Sequence, residues 1–513
     1  MSQDRRTDPY SSPEAPAVPP PDARAVEKAS IFNHPIGFWF FFWGEFAERS
    51  CYYGMRAILL LYMVERLGFS DGKASGVISY FIAACYLLPL AGGFVADNYL
   101  GKYRTIVGFS VPYVLGQLLL GFENLQSVDL LLLALALLAG GSGVIKPNIS
   151  TLMGLTYDQK RPGQTKLRSD AFAMFYFSIN VGAALSSFAV PTLRDLATEW
   201  SGSRAHGYAV AFRFPAVLMV LALATFALGK RFYAVEEIRK VRLTPEQKHE
   251  RRAARRHTLG LLLAALGRLA SADWPSAQER FRQCFFSIPE DVRDRLAVLG
   301  RIFGLFFVVM FFWSIFDQST NTWTLFARDH LVLDLFGWKV APDAIQGLNP
   351  VLIILLLPPI TILWHLLARL GLELRPTDKM LIGFVLTAFT MGIMAVAGYL
   401  AGPEGRISIL WEVVPYILIT IAEICISVVG LELAFAAAPP TMKSFITACW
   451  LLTVFFGDML NAQVTPWYDQ AVFGFDLTPG RYFLLFALLM IPVTLAFALV
   501  ARRFNRNLAQ GSG

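Results

Sequence analysis

The stretch GEFAERSCYYGMRAILLLYMV, residues 44–64, sets Glu45, Glu48, Arg49, Tyr52, Tyr53 and Arg56 into an otherwise apolar run. On a helix turning about 100° per residue, these six fall within an arc of roughly 140°. Two carboxylates, two guanidinium groups and two phenols then share one face, with Glu45 and Arg49 at the i, i+4 spacing that lets them pair. Carboxylates take up and release protons, and guanidinium groups hold anions. One buried ion pair would be structural, but six polar groups on one face of an apolar helix fit a water-filled path better.

Further groups of this kind recur in other apolar runs. Lys146 stands alone in LLAGGSGVIKPNISTLMG, where Pro147 weakens the helical ladder and Gly140, Gly141, Ser142 and Gly143 allow close packing. Asp317 lies in FFWSIFDQSTNTWTLFA with no obvious local partner, as expected of a carboxyl that exchanges protons. Glu423 sits midway along YILITIAEICISVVGLELAF, and Glu432 nearer its end reads as interfacial. Asn180 and Asn349 add neutral hydrogen-bonding groups. An ionised side chain at the centre of a membrane helix costs about 2.5–3.5 kcal/mol on insertion scales, so such residues mark wet cavities or pairs. The first half of the chain thus supplies cations (Arg49, Arg56, Lys146) and the second carboxylates (Asp317, Glu423). A cleft between them would be positive on one wall and negative on the other, which suits a zwitterion.

The elements that must position these groups are membrane helices. Of 513 residues, 55% are apolar and only 16% charged, and Phe occurs 42 times. The mean hydropathy is +0.50. Soluble domains carry about 25% charged residues. This balance excludes a disordered chain, a nucleic-acid-binding domain and an ordinary cytosolic enzyme. The net charge of +7 comes from loops. Cys51, Cys85, Cys425 and Cys449 lie in apolar runs and read as small buried hydrophobes, and the six histidines show no metal-ligand spacing.

Twelve spans of about 20 apolar residues are expected: 36–64, 75–97, 104–121, 128–153, 169–192, 208–229, 302–327, 348–370, 379–401, 412–436, 443–468 and 480–502. Basic loops, among them Lys102, Arg104, Lys160, Arg161, Arg502 and Arg503, place both termini in the cytoplasm by the positive-inside rule. The organisation expected is a disordered tail over 1–35, a six-helix bundle over 36–232, a basic linker over 233–299, a second bundle over 300–504 and a tail over 505–513. Leu259 to Leu269 in the linker reads as an amphipathic surface helix. This six-plus-six layout is that of the major facilitator fold, with a binding site near the bilayer midplane. No HExxH or GxSxG motif and no pair of intramembrane aspartates in a recognisable motif argues for an enzyme.

The segments then resemble the proton-dependent oligopeptide transporter family. ExxER followed by YYG, GGFVADNYLGKYRTI, GSGVIKPNIS, FAMFYFSINVGAAL, FWSIFDQ, QGLNP and AEICISVVGLELAFAAAP occur in the family's order over residues 36–500. The resemblance implies that Arg49, Arg56 and Lys146 bind a peptide carboxylate. It implies that Asn180, Asn349 and Glu423 bind its amino end, and that Tyr53, Tyr86, Trp313 and Trp450 line side-chain pockets. Glu45, Glu48 and Asp317, with Arg49, would couple protons, and Asp97, Lys102 and Arg104 would form a cytoplasmic gate. Where the family usually has Phe, Ser50 stands here and is expected to enlarge or rehydrate the pocket near Arg49. Animal members carry a His near the position of Ser79, so coupling here is expected to rest on carboxylates. The function implied is proton-coupled symport of di- and tripeptides by a monomer in the inner or plasma membrane. Protons would be the coupling ion, with no other cofactor and no nucleic-acid partner. Nitrate, an amino acid or a peptide-like drug is the alternative substrate.

Overall fold

The computed structural model describes residues 30–123, 126–235, 290–335, 337–437, 443–472 and 474–510. Of the tail expected over 1–35, residues 1–29 lie outside these, as does the amphipathic patch Leu259 to Leu269, while Ser30–Ile31 pairs with His34–Pro35 in a short antiparallel turn. The first half is built from α1 (Ile36–Glu65), α2 (Asp71–Val95), α3 (Lys102–Leu120), α4 (Val128–Lys160), α5 (Thr165–Ser201) and α6 (Arg204–Leu228). The second half is built from α7 (Glu290–Phe316), α8 (Thr322–His330), α9 (Leu348–Arg369), α10 (Pro376–Ala401), α11 (Leu410–Glu423), α12 (Val429–Ala437), α13 (Lys443–Val464) and α14 (Pro479–Gln510). Beta structure among the described residues is confined to pairs of two or three residues in the connections.

Among the described residues, nine helical segments are long and apolar enough to cross a membrane. Three long helices, α1, α3 and α13, stand beside them without meeting that measure; in α1 the cause is the charged stripe itself. Several helices outrun their apolar cores. Helices α4, α5 and α14 extend to Lys160, Ser201 and Gln510, because polar helix formers continue the backbone ladder past the hydrocarbon. The outward faces stay apolar, with Leu355, Ile362, Leu495 and Leu499 well exposed, as a lipid-facing surface requires.

Two spans are interrupted beside their acidic residues. After α7 the chain tightens into a 3-10 turn over Asp317–Thr320, and Asn321 restarts the helix by accepting the Thr322 N–H at 2.6 Å. After α11 a π turn over Ile424–Val428 follows Glu423 directly. Short departures of this kind are frequent at functional sites. Pro147 does not end α4. The Thr151 hydroxyl donates to its carbonyl at 2.7 Å, and the Asn148 amide donates to Val144 O at 2.8 Å.

Within the first half, α1 packs on α5 and α6, and α4 on α2 and α3. The small residues of α4 serve this contact: a Cβ on Gly143 would lie 2.8 Å from Leu88 Cβ, and one on Gly141 would strike Tyr113. Within the second half, α10 packs on α14 and α11, and α13 on α7. The halves meet where α2 lies along α13 and α5 along α9. A Cβ on Gly72 would sit 2.7 Å from Pro466 Cα.

Candidate functional site

The polar face of α1 turns inward. Glu45, Glu48 and Arg49 are each 2% exposed. Arg49 Nε lies 3.1 Å from Glu45 Oε1 and also pairs with Glu48, and its guanidinium stands 5.6 Å from the Tyr52 ring centre. The cluster belongs to one helix, so it survives any movement between the halves. Ser50 does not open this region as expected. Its hydroxyl donates to Phe46 O at 2.7 Å, and it is buried on the side where Gly182 of α5 comes close. The reason is the wheel: Ser50 lies off the charged stripe.

Two turns along α1, Arg56 reaches across to the other half. Its Nη2 donates to Asp317 Oδ1 at 3.0 Å and to the Thr320 hydroxyl at 2.9 Å. The local partner that the sequence does not offer Asp317 is therefore supplied from the opposite bundle. The 3-10 turn makes this possible by holding Thr320 beside Asp317, with the Thr320 hydroxyl donating to Asp317 O at 2.9 Å.

The remaining candidates line two walls. On the first, Lys146 Nζ stands 4.6 Å from the Tyr86 ring centre, and its charged neighbours are Arg49, Glu48 and Glu45. On the second, the Asn349 amide donates to Glu423 Oε2 at 2.8 Å and to the Thr420 hydroxyl at 3.1 Å. Tyr53 joins the walls, because Arg49, Arg56, Glu48 and Glu423 all act on its phenol. Tyr176 of α5 is likewise in reach of Glu423, and the Asn180 amide donates to Tyr176 O at 3.0 Å. Tyr53, Arg56, Tyr86, Lys146, Asn349 and Glu423 are partly exposed, whereas Glu45, Glu48, Arg49 and Asp317 are buried. The arrangement can hold a molecule with a negative and a positive end, and it keeps the carboxyls of Glu45, Glu48 and Asp317 buried behind that surface.

Trp313 and Trp450 pack among aromatic and glycine neighbours. Trp313 packs between Phe312 and Phe316 and against Gly457 of α13. Trp450 lies against Phe306 and covers Gly430. In the loop after α2, Lys102 Nζ pairs with Asp97 Oδ1 at 2.6 Å, and Arg104 opens onto a cleft of about 830 Å³ shared with Lys230 and Arg231.

Cross-bundle bonds gather toward the helix ends away from Arg502 and Arg503, the ends that the positive-inside rule turns outward. Arg194 of α5 is paired bidentately with Asp343, both fully buried. Arg328 Nη2 meets Asp71 Oδ2 at 2.8 Å, and the Gln346 amide donates to Ala57 O at 3.2 Å. This outer seal was not foreseen. Arg194 and Asp343 stand at the ends of predicted spans, where charges are usual. Asp458, fully buried on α13 beside the Asp317 turn, was also missed; its signal was a lone carboxylate inside the span expected over 443–468.

A family model described as the POT family matches residues 103–477. Solute carrier family 15 member 1 of Homo sapiens is 31% identical over 386 residues, covering 72% of this chain and 52% of its own length. Solute carrier family 15 member 2 of Mus musculus is 31% identical over 392 residues, covering 74% of this chain and 51% of its own. This chain thus spans about half the length of these relatives. The uncharacterized transporter YclF of Bacillus subtilis is 26% identical over 469 residues, covering 87% of this chain and 91% of its own. Among solved structures, the POT family transporter PepTSo superposes with a TM-score of 0.75 at 28% identity, covering 92% of this chain and 99% of that one. A mutant peptide transporter POT in complex with alafosfalin gives a TM-score of 0.75 at 26% identity, covering 94% and 98%.

Proposed function

Because the chain belongs to the POT family, we propose that it is a secondary active transporter that moves di- and tripeptides across the membrane together with protons. It is an integral membrane protein with the two-bundle architecture of its structural relatives. A peptide bridges the walls, its carboxylate toward Lys146 and Arg49 and its amino group toward Glu423 and Asn349. Protons arriving from outside neutralise Glu45 or Glu48 and Asp317. Neutral Asp317 no longer holds Arg56, and neutralising Glu45 or Glu48 loosens Arg49 for the peptide carboxylate. The bundles then rock about the site. The membrane potential adds about 2.3 kcal/mol per charge per 100 mV to the pH gradient. The protein acts as a monomer.

The single observation that carries this reading is the Arg56–Asp317 pair, an ionic contact between the two halves at the edge of the polar walls. Its test is uptake into proteoliposomes under an imposed pH gradient, with a panel of di- and tripeptides, amino acids and nitrate. Accumulation of small peptides that collapses with the gradient is the expected result. Accumulation of nitrate or single amino acids alone would overturn the substrate assignment.

A further inference from the structure

One face near the outer half of α13 carries buried polar groups that find few partners among the described residues. Asp458 and Asn461 lie about one turn apart on α13, and both are fully buried. Thr465 opens the 3-10 turn that ends the helix, and Tyr468 follows it; they are 0% and 3% exposed. The Asp458 oxygens find no N–H or hydroxyl donor among the described residues, and both amide atoms of Asn461, the Thr465 hydroxyl and the Tyr468 hydroxyl find no hydrogen-bond partner among them. Ser75, on the α2 segment that packs against this part of α13, has an unpartnered hydroxyl as well. Isolated atoms of this kind are uncommon, because each forfeits its hydration on burial. A file of them fits groups that hold water and protons in passage.

The file has two recognisable ends. At the inner end α13 packs on the Asp317 turn, with neighbouring Gly457 pressed on Trp313, Met310 and Ser314. There the packing of α13 on the turn sets two buried carboxyls, Asp458 and Asp317, side by side. Two carboxylates have only acceptors to offer each other, so their contact becomes a hydrogen bond when one proton sits between them. The other charged and titratable groups facing the pair are Arg56, Tyr86 and Glu423. At the outer end Tyr468 stands among Arg328, Asp71, Asp329 and Asp469, and the Arg328–Asp71 pair keeps 24% and 32% side-chain exposure.

Resting on the proton-coupled reading above, we propose that this face of α13 conducts protons from the outer surface to Asp317, with Asp458 as the group that receives each proton and holds it against Asp317. A proton on Asp458 makes it a neutral acid whose O–H donates to the Asp317 carboxylate, and the Arg56–Asp317 pair stays intact. Transfer of that proton to Asp317 leaves the carboxylate on Asp458 and loosens Arg56. The first proton therefore loads the site, and its movement by one carboxyl releases the cross-bundle contact.

Two measurements test this. The infrared spectrum of the parent minus that of Asp458→Asn should show a carboxylic-acid C=O band lost from the variant, and Asp458→Glu should retain one. A difference confined to the carboxylate bands overturns the proposal, whether or not the protein transports. In proteoliposomes, each coupled proton contributes about a factor of ten in accumulation per pH unit. Asn461→Leu should lower the ratio of gradient-driven accumulation to peptide counterflow by about that factor. An unchanged ratio overturns the route through α13. A parent that exchanges peptide without responding to a pH gradient would sink the coupling reading, while the infrared difference still decides the Asp458 proton.

Discussion

Arg49 and Arg56 stand on the same face of one helix and are held in opposite ways. Arg49 is paired with Glu45 and Glu48 of its own helix, so its pairing is indifferent to how the two halves of the protein lie. Arg56 is paired with Asp317 and Thr320 of the other half, so its pairing exists only in arrangements that bring the halves together there. An intrahelical cluster can store charge for a substrate or a proton, whereas a bond between bundles reports and sets conformation. The same contrast separates the half-buried walls at Lys146 and Glu423 from the outer seal at Arg194 and Asp343.

The contrast can be broken most severely at Arg49. Arg49→Ala leaves Glu45 and Glu48 buried together without the guanidinium that pairs with both, and breaking a buried pair costs about 3–5 kcal/mol. Thermal melting in detergent should fall and uptake should vanish; Arg49→Lys, which keeps the charge, should recover part of the melting temperature. Arg56→Gln acts on the second kind of bond. Removing a charge-assisted hydrogen bond of about 1.5–3 kcal/mol should shift the balance toward arrangements open at the outer side. Spin labels on the outer ends of α2 and α13 would read this as a longer distance, and an unaltered distance distribution would count against the cross-bundle role. Glu423→Gln keeps the shape of its wall while removing the negative charge. Dipeptide affinity should weaken by about tenfold, the equivalent of about 1.4 kcal/mol, in a direct binding assay. A variant that binds as tightly as the parent would show that Glu423 does not meet the amino group. Arg328→Ala should do least, because partly exposed pairs contribute about 0–1 kcal/mol. Transport rates within about twofold of the parent are expected there.

Much of this was legible in the sequence, for reasons that differ from residue to residue. The stripe on α1 was readable because charged residues in an apolar run are rare and their spacing fixes a face. The helical spans were readable because hydrocarbon thickness sets their length. The partner of Asp317 was not, since Arg56 lies far away along the chain and no local pattern connects them. The two interruptions beside Asp317 and Glu423 were also hidden. Ile424–Val428 contains neither glycine nor proline, so packing rather than composition decides that turn. Asp458 met the same criterion as Asp317; what the sequence withheld was the carboxyl it would face.

The break between α7 and α8 has a mechanical consequence. Beyond it lies a rod of nine residues, about 13 Å at 1.5 Å per residue, which carries Arg328 near its tip. A continuous helix would force that rod to follow every tilt of the long segment below. With the joint placed at Asp317, the rod can pivot while its base stays anchored, and in the proposed coupling the anchor is the charge that a proton would cancel. One protonation would then unclamp the hinge at the point where it bends.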